Sequence, residues 1–127
     1  MTKIGMKVKN KGKILLIEDE PDIANSIKIF IEREGYELTY ALDPRKGLDI
    51  MSSYDLLLLD IIMPTMSGRE VLAEMKKRKI EIPVIVVSAV GLPMEVEREL
   101  DEKYPGTGFV SKTQISEKLM GEIKKRI

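Results

Sequence analysis

Residues 54–68 read YDLLLLDIIMPTMSG, and this stretch decides how the rest of the chain is interpreted. The leucine run Leu56–Leu59 shows no alternation of apolar and polar positions, a pattern typical of a strand buried on both faces of a parallel sheet. The run leads directly into Asp60, and ligands of open parallel α/β sheets bind beyond the carboxyl ends of the strands. Pro64 and Gly68 then end the extended segment. Taken alone, Asp60 is either a functional group at the mouth of a sheet or an acid that caps the next loop.

Short apolar runs alternate with amphipathic segments on both sides of this stretch. The other runs predict strands at Lys13–Ile17, Glu37–Ala41, Ile82–Val87 and Gly106–Ser111. The second of these is more polar than the others, so we expect it at an edge of the sheet. Five alternations of strand and helix predict one parallel sheet with helices on both faces, joined by right-handed crossovers.

The helix starts carry recognisable capping signals. Predicted first residues or caps are Pro21, Asp43 with Pro44, Ser67 with Glu70 in a capping box, and Pro93. The final helix is expected to present a single apolar face made of Ile115, Leu119, Met120, Ile123 and Ile127. Met63 and Met66, in the loop after the leucine run, are expected to be partly exposed.

Composition narrows the class of function. The 127 residues suit a single domain, and lysine plus arginine balances aspartate plus glutamate at 21 each, which argues against a basic nucleic-acid groove. The chain has no cysteine and no histidine, which excludes disulfides, thiolate sites and histidine-based catalysis. No apolar run approaches the roughly 20 residues of a membrane span, and Met1–Gly12 lacks a signal-peptide core, so cytoplasmic residence is expected. We interpret residues 1–12 as a flexible basic extension and residues 13–127 as the folded domain.

Polar side chains follow four of the predicted strands at their carboxyl ends. They are Glu18 and Asp19, Asp60, Ser88 and Lys112. Three carboxylates in one crevice repel each other unless a cation intervenes, and oxygen ligands without histidine or cysteine favour Mg²⁺. A carboxylate is also a competent nucleophile for phosphorus, while the ammonium and hydroxyl groups can bind a phosphoryl group. The set predicts phosphoryl-transfer chemistry.

Four motifs in order, LLIEDE (15–20), LLLLDIIMPTMSG (56–68), VIVVSA (84–89) and FVSK (109–112), resemble the receiver domains of two-component response regulators. The resemblance covers the chain from about residue 13 to its end. It implies a flavodoxin-like fold, a (βα)5 three-layer sandwich whose parallel strands have the order 2-1-3-4-5. It implies that Asp60 is the phosphoacceptor and that Mg²⁺ is the cofactor. Its implied metal ligands are Glu18, Asp19, Asp60 and the backbone carbonyl of Ile62.

The resemblance also implies a switch. Ser88 and Lys112 match the switch hydroxyl and the phosphate-pairing lysine, and Phe109 matches the aromatic residue whose inward turn follows phosphorylation. Receivers usually have proline after the lysine, commonly with a cis bond, whereas this chain has Thr113. We expect a trans bond here because a cis bond without proline costs roughly 2.5–4 kcal/mol.

The implied function is a phosphorylation-dependent signalling switch that is not itself an enzyme. Its expected partners are a sensor histidine kinase and a downstream protein, with neither nucleic-acid binding nor membrane insertion. A homodimer through the fourth helix, fifth strand and fifth helix is a further expectation.

Two apolar positions that modulate dephosphorylation in the family, Ile62 and Val90, predict a long-lived phosphorylated state. The alternatives are an adaptor that works without phosphorylation and a flavodoxin-like enzyme or flavin carrier, although Glu18–Pro21 replaces the phosphate loop expected for the latter.

Overall fold

The computed structural model describes residues 10–89 and 92–127, which form a five-stranded parallel sheet. The strands are β1 (Lys13–Ile17), β2 (Glu37–Ala41), β3 (Leu56–Asp60), β4 (Val84–Ser88) and β5 (Gly108–Ser111). The helices are α1 (Pro21–Arg33), α2 (Pro44–Ile50), α3 (Gly68–Arg78), α4 (Met94–Lys103) and α5 (Met120–Lys124). The spatial order β2-β1-β3-β4-β5 confirms the predicted flavodoxin-like topology and places β2 at an edge.

The sheet separates two apolar layers. On one face Leu57 and Leu59 of β3 pack with residues of α2, α3 and α4, and on the other face Leu56 and Leu58 pack with residues of α1 and α5. All five β3 residues are buried. The uninterrupted leucine run is therefore explained, because successive side chains point to opposite faces and both faces are covered.

Two predicted helix caps are present. Asp43 accepts a hydrogen bond from the N–H of Arg45 at 3.0 Å, at the start of α2. At the start of α3 the hydroxyl of Ser67 accepts from the N–H of Glu70 at 3.2 Å, and the Glu70 carboxylate accepts from the N–H of Ser67 at 2.8 Å. This reciprocal capping box satisfies backbone donors that no helical carbonyl can reach.

The start of α3 is packed against the end of β3. The N–H of Gly68 donates to the carbonyl of Ile61 at 2.9 Å. A Cβ at Gly68 would lie 2.7 Å from the backbone oxygen of Asp60, closer than real Cβ contacts allow. Glycine is therefore needed because the two backbones approach closely here, and this approach fixes the segment that carries Asp60.

Several sequence-based boundaries are corrected by the structure. β4 begins at Val84 rather than Ile82, and β5 begins at Gly108 rather than Gly106. Pro83 has no N–H to contribute to the ladder, and Gly106 adopts a φ of 88° in the turn before β5.

The segment after β5 is also less regular than a single helix. A 3-10 turn (Lys112–Gln114) and a π-helical turn (Ile115–Leu119) precede α5. In this segment Leu119 and Ile123 are fully buried, whereas Ile127 is 40% exposed, so the predicted apolar face is buried only in part. Met63 is buried, contrary to expectation, and Met66 is half-buried.

Part of the predicted N-terminal extension lies within the described residues. The N–H of Lys11 donates to the carbonyl of Gly35 at 3.0 Å, and the carbonyl of Gly12 accepts from the N–H of Glu37 at 2.9 Å. These bonds attach residues 11–12 to the start of β2, while residues 1–9 lie outside the described part of the chain. Across the described ranges, no helix combines the length and apolar character needed to cross a bilayer.

Candidate functional site

An acidic cluster lies at the carboxyl edge of the sheet. Glu18 and Asp19 follow β1, Asp60 ends β3, and these two strands are neighbours. One carboxylate oxygen from each of the three residues lies within 4.8 Å of the others. Glu18 and Asp60 are 1% and 4% exposed, and Asp19 is half-buried. The parallel topology thus gathers acids that are 41 or 42 positions apart in the chain into one pocket.

Backbone donors orient two of the carboxylates. The N–H of Ile62 donates to Asp60 Oδ1 at 3.3 Å, and the N–H of Glu20 donates to Glu18 Oε2 at 3.2 Å. The other oxygen of Glu18, Oε1, is buried and accepts no well-directed hydrogen bond from the described residues. A buried carboxylate oxygen requires a partner, so Glu18 Oε1 must be stabilised by a nearby positive charge.

Lys112 supplies that charge. Its Nζ lies 2.7 Å from Glu18 Oε1 and 3.6 Å from Asp60 Oδ2, and its side chain is 16% exposed. Burial lowers the pKa of Lys112, but the adjacent carboxylates of Glu18 and Asp60 outweigh this effect and raise it overall. The lysine is thus held protonated in the acidic pocket.

The pKa of Asp60 is raised to about 6. Burial is the largest cause, and the negative charge of Glu18 adds to it. The ammonium group of Lys112 and the hydrogen bond from Ile62 lower the pKa but do not cancel the rise. Asp60 is therefore a carboxylate whose charge is poorly compensated, and a cation in the pocket would stabilise it.

The donor set fits a hard divalent cation. Glu18, Asp19 and Asp60 offer three carboxylates, and the single ammonium of Lys112 leaves negative charge in excess. All of these ligand atoms are oxygens, and a single lysine contacts Glu18 Oε1 and Asp60 Oδ2. Oxygen-only sites of this kind suit Mg²⁺, which binds few carboxylates and retains several waters.

The remaining residues singled out from the sequence lie at different depths. Ser88 is the last residue of β4, is 4% exposed, and is in register with Ser111 of β5. Phe109 is half-buried in the middle of β5, in register with Val86, and packs on the layer formed by α2, α3 and α4. Ile62 is 71% exposed and contacts the site through its backbone N–H. Ser88 thus reaches the same edge as the acids, while Phe109 lies deeper along the neighbouring strand.

The loop after β5 contains two contacts that the sequence interpretation missed. The hydroxyl of Ser111 accepts from the N–H of Thr113 at 3.3 Å, and the two hydroxyl oxygens are 2.9 Å apart. A serine two residues before threonine at a strand end is a recognisable turn signal.

The bond between Lys112 and Thr113 is trans, as predicted, since the described residues contain no cis peptide. Val90 lies outside the described part of the chain.

The fold and the site together define a class of protein. It is a doubly wound α/β domain with a pocket of three carboxylates and a lysine at the carboxyl ends of its parallel strands. Residues 14–124 match the family described as the response regulator receiver domain. The chain therefore belongs to the response regulator receiver family.

Curated relatives agree with this assignment. The chain is 41% identical over 81 residues to the uncharacterized transcriptional regulatory protein YkoG of Bacillus subtilis, covering 62% of this chain and 36% of the relative. It is 34% identical over 77 residues to the response regulator SaeR of Staphylococcus aureus, covering 60% and 34% respectively. The matched region thus spans about a third of these relatives' own length.

Solved structures extend the similarity over most of the chain. The response regulator TrrA of Thermotoga maritima, solved in complex with Mg²⁺ and BeF, is 32% identical with a TM-score of 0.76 and covers 91% of this chain and 98% of its own. A Francisella response regulator receiver domain is 28% identical with a TM-score of 0.78 and covers 90% and 95%.

Proposed function

We propose that this domain is a phosphorylation-dependent signalling switch in which Asp60 accepts a phosphoryl group from a phosphohistidine on a sensor histidine kinase. The observation that carries the proposal is the pocket itself, in which Asp60 lies beside Glu18, Asp19 and Lys112 at the sheet edge. A histidine-kinase donor would place this reaction in the cytoplasm. The domain is a phosphoacceptor that assists its own modification rather than an enzyme acting on a separate substrate.

The transfer can be written from the atoms of the pocket. An Asp60 carboxylate oxygen forms a new bond to phosphorus, opposite the phosphorus–nitrogen bond of the donor, which breaks. The electron pair of the broken bond leaves with the donor imidazole, whose other ring nitrogen carries a proton, so that a protonated phosphohistidine and a carboxylate become a neutral histidine and an acyl phosphate. The Oδ2 of Asp60 faces Lys112, whereas Oδ1 is held by the N–H of Ile62. We therefore assign Oδ2 as the attacking oxygen.

Glu18, Asp19, Asp60 and the backbone carbonyl of Ile62 are the groups that would hold Mg²⁺. When bound, the ion supplies positive charge that offsets the carboxylates and the oxygens of the incoming phosphoryl group. Lys112, now 2.7 Å from Glu18 and 3.6 Å from Asp60, is placed to shift its contact from the acid to the phosphoryl oxygens.

The output step of the proposal uses Ser88 and Phe109. The Ser88 hydroxyl would donate to the new phosphoryl group, and movement of this residue would open space for Phe109 on the same sheet face. The surface of α4, β5 and α5 would then favour a downstream protein that prefers the altered shape. The Bacillus subtilis relative described above is named as a transcriptional regulatory protein, but we assign no nucleic-acid contact to this domain.

We also propose a homodimer through that same surface. Glu99 of α4 is 3.0 Å from Arg69 of α3 and 3.3 Å from Lys103, and Arg126 is 2.9 Å from Glu122. These charges have partners within one chain, so cross-pairing between two copies would first have to exchange them. Exposed ion pairs contribute about 0–1 kcal/mol each, which keeps such an exchange small in energy.

Intact-mass spectrometry after incubation with acetyl phosphate and Mg²⁺ tests the proposal. We expect a gain of about 80 Da, the mass of one phosphoryl group, that is absent without Mg²⁺ and absent in Asp60→Asn. Asp49→Asn is the matched control, because this side chain is 72% exposed and outside the pocket. An unmodified wild-type chain, as expected of a phosphorylation-independent adaptor, or a gain that persists in Asp60→Asn would refute the proposal.

A further inference from the structure

In the turn after β5, two hydrogen bonds join the residues on either side of the pocket lysine. The Ser111 hydroxyl accepts from the N–H of Thr113 at 3.3 Å, and the hydroxyls of the two residues form a second bond at 2.9 Å. The backbone continues directly into the 3-10 turn Lys112–Gln114. The two bonds therefore bracket one residue, Lys112.

The side chain of Lys112 must span the width of one strand to reach Asp60, so its contact depends on an accurately placed backbone. It follows β5 at one edge, whereas Asp60 ends β3, and β4 lies between them. Strands are about 4.8 Å apart, so the two backbones are separated by about 10 Å. A lysine side chain reaches about 6 Å from its Cα when fully extended, and the acid side chain and the contact distance supply the rest. A backbone rotation of about 10° would move Nζ by about 1 Å, a displacement that can cost up to about 100-fold in a reaction rate.

The residue after Lys112 is threonine, so no proline ring restrains the backbone at this point. A proline after the lysine would set its own φ near about −65° and remove one donor. Thr113 instead keeps its N–H, and that N–H is bonded to Ser111. Serine and threonine hydroxyls that bond two residues along the chain stabilise turns in this way.

We infer that Ser111 and Thr113 are positioning residues that hold Lys112 toward Asp60 through their paired hydrogen bonds. The inference rests on the proposed function, because it concerns the role of Lys112 in phosphoryl transfer. A turn that merely stabilises the loop would act regardless of the lysine. A positioning turn would affect the reaction only while Lys112 is present, and a double-mutant cycle separates these two cases.

The first measurement is the rate constant of phosphorylation at saturating acetyl phosphate and Mg²⁺ for wild type, Ser111→Ala, Lys112→Ala and the double variant. We expect Ser111→Ala to slow the reaction by about three- to tenfold, the factor that one net hydrogen bond corresponds to. In the Lys112→Ala background the same change should cause no further slowing. Ser111→Thr should restore the rate, and the control Ser116→Ala should not alter it, because that hydroxyl bonds to Glu117 at 3.1 Å.

The second measurement needs neither Mg²⁺ nor a phosphodonor. Reductive methylation followed by peptide mass spectrometry should modify Lys112 slowly in the wild type, where its side chain is 16% exposed. Ser111→Ala and Thr113→Val should both raise this rate relative to Lys125, which is 69% exposed and remote from the turn.

Equal slowing by Ser111→Ala with and without Lys112, or unchanged methylation of Lys112, would overturn the inference. A wild-type chain that accepts no phosphoryl group would instead refute the proposed function and, with it, the catalytic part of this inference. The methylation experiment would still decide whether Ser111 holds the lysine.

Discussion

Ionisation of Asp60 should lower the free energy of unfolding of this domain when no cation is bound. The structure raises the pKa of Asp60 from 3.8 to about 6, mainly through burial and secondarily through Glu18. The folded state therefore retains a proton that the unfolded chain has lost between these two pH values, so stability falls as pH rises through this window. At about 1.4 kcal/mol per pKa unit, the full cost is about 3 kcal/mol at pH 7 and above.

Asp60→Asn removes the charge and keeps the shape, so it should be the more stable protein at neutral pH. In EDTA at pH 7.5 we expect its free energy of unfolding in urea to exceed that of wild type by about 2–3 kcal/mol. The difference should fall below about 1 kcal/mol near pH 4, where folded Asp60 is protonated. The exposed control Asp49→Asn, whose partner Arg78 is 3.4 Å away, should change stability by no more than about 1 kcal/mol at either pH.

Adding Mg²⁺ should stabilise wild type and leave Asp60→Asn nearly unchanged, because a ligand that binds the native state raises stability by about 2.7 kcal/mol at 100 times its Kd. The advantage of the variant should then shrink or disappear. The reasoning fails if Asp60→Asn is no more stable than wild type in EDTA at pH 7.5. It also fails if the difference between the two proteins is the same at pH 4 and pH 7.5.

Three further predictions concern packing, lifetime and assembly. Gly68→Ala should lower the free energy of unfolding in urea by about 2 kcal/mol, because the new Cβ would overlap the backbone oxygen of Asp60. A Cβ at Gly121 would meet no atom within 4 Å, so the control Gly121→Ala should raise the free energy of unfolding by about 0.5–1 kcal/mol. Equal effects at the two glycines would contradict the packing argument. Phosphorylated Asp60 should persist for minutes or longer in Mg²⁺, because the apolar side chain of Ile62 cannot orient an attacking water, and decay within seconds in a mass-spectrometric time course would disprove this. Sedimentation with beryllofluoride and Mg²⁺ should show a heavier species than the unmodified chain, and an unchanged sedimentation coefficient would exclude a switch-dependent dimer.

Much of the architecture is determined by short-range patterns in the sequence. The unalternated run Leu56–Leu59 requires a strand covered on both faces, and the structure buries each of these residues. Ser67 and Glu70 specify the start of α3 because a capping box closes within four residues. Patterns of this kind act over one or two turns of chain, so the order of strands and helices follows from them without knowledge of the packing.

The electrostatics and reach of the site depend on the tertiary structure. No local pattern shows that Lys112 contacts Glu18 more closely than Asp60, or that Asp60 is buried enough to retain its proton near pH 6. No sequence pattern predicted the burial of Met63 or the π-helical turn before α5. These features arise from distances between segments far apart in the chain, and such distances exist only once the sheet has brought the strand ends together. The sequence alone therefore determined which groups meet, while the packed fold decided how closely they meet and how much charge each one carries.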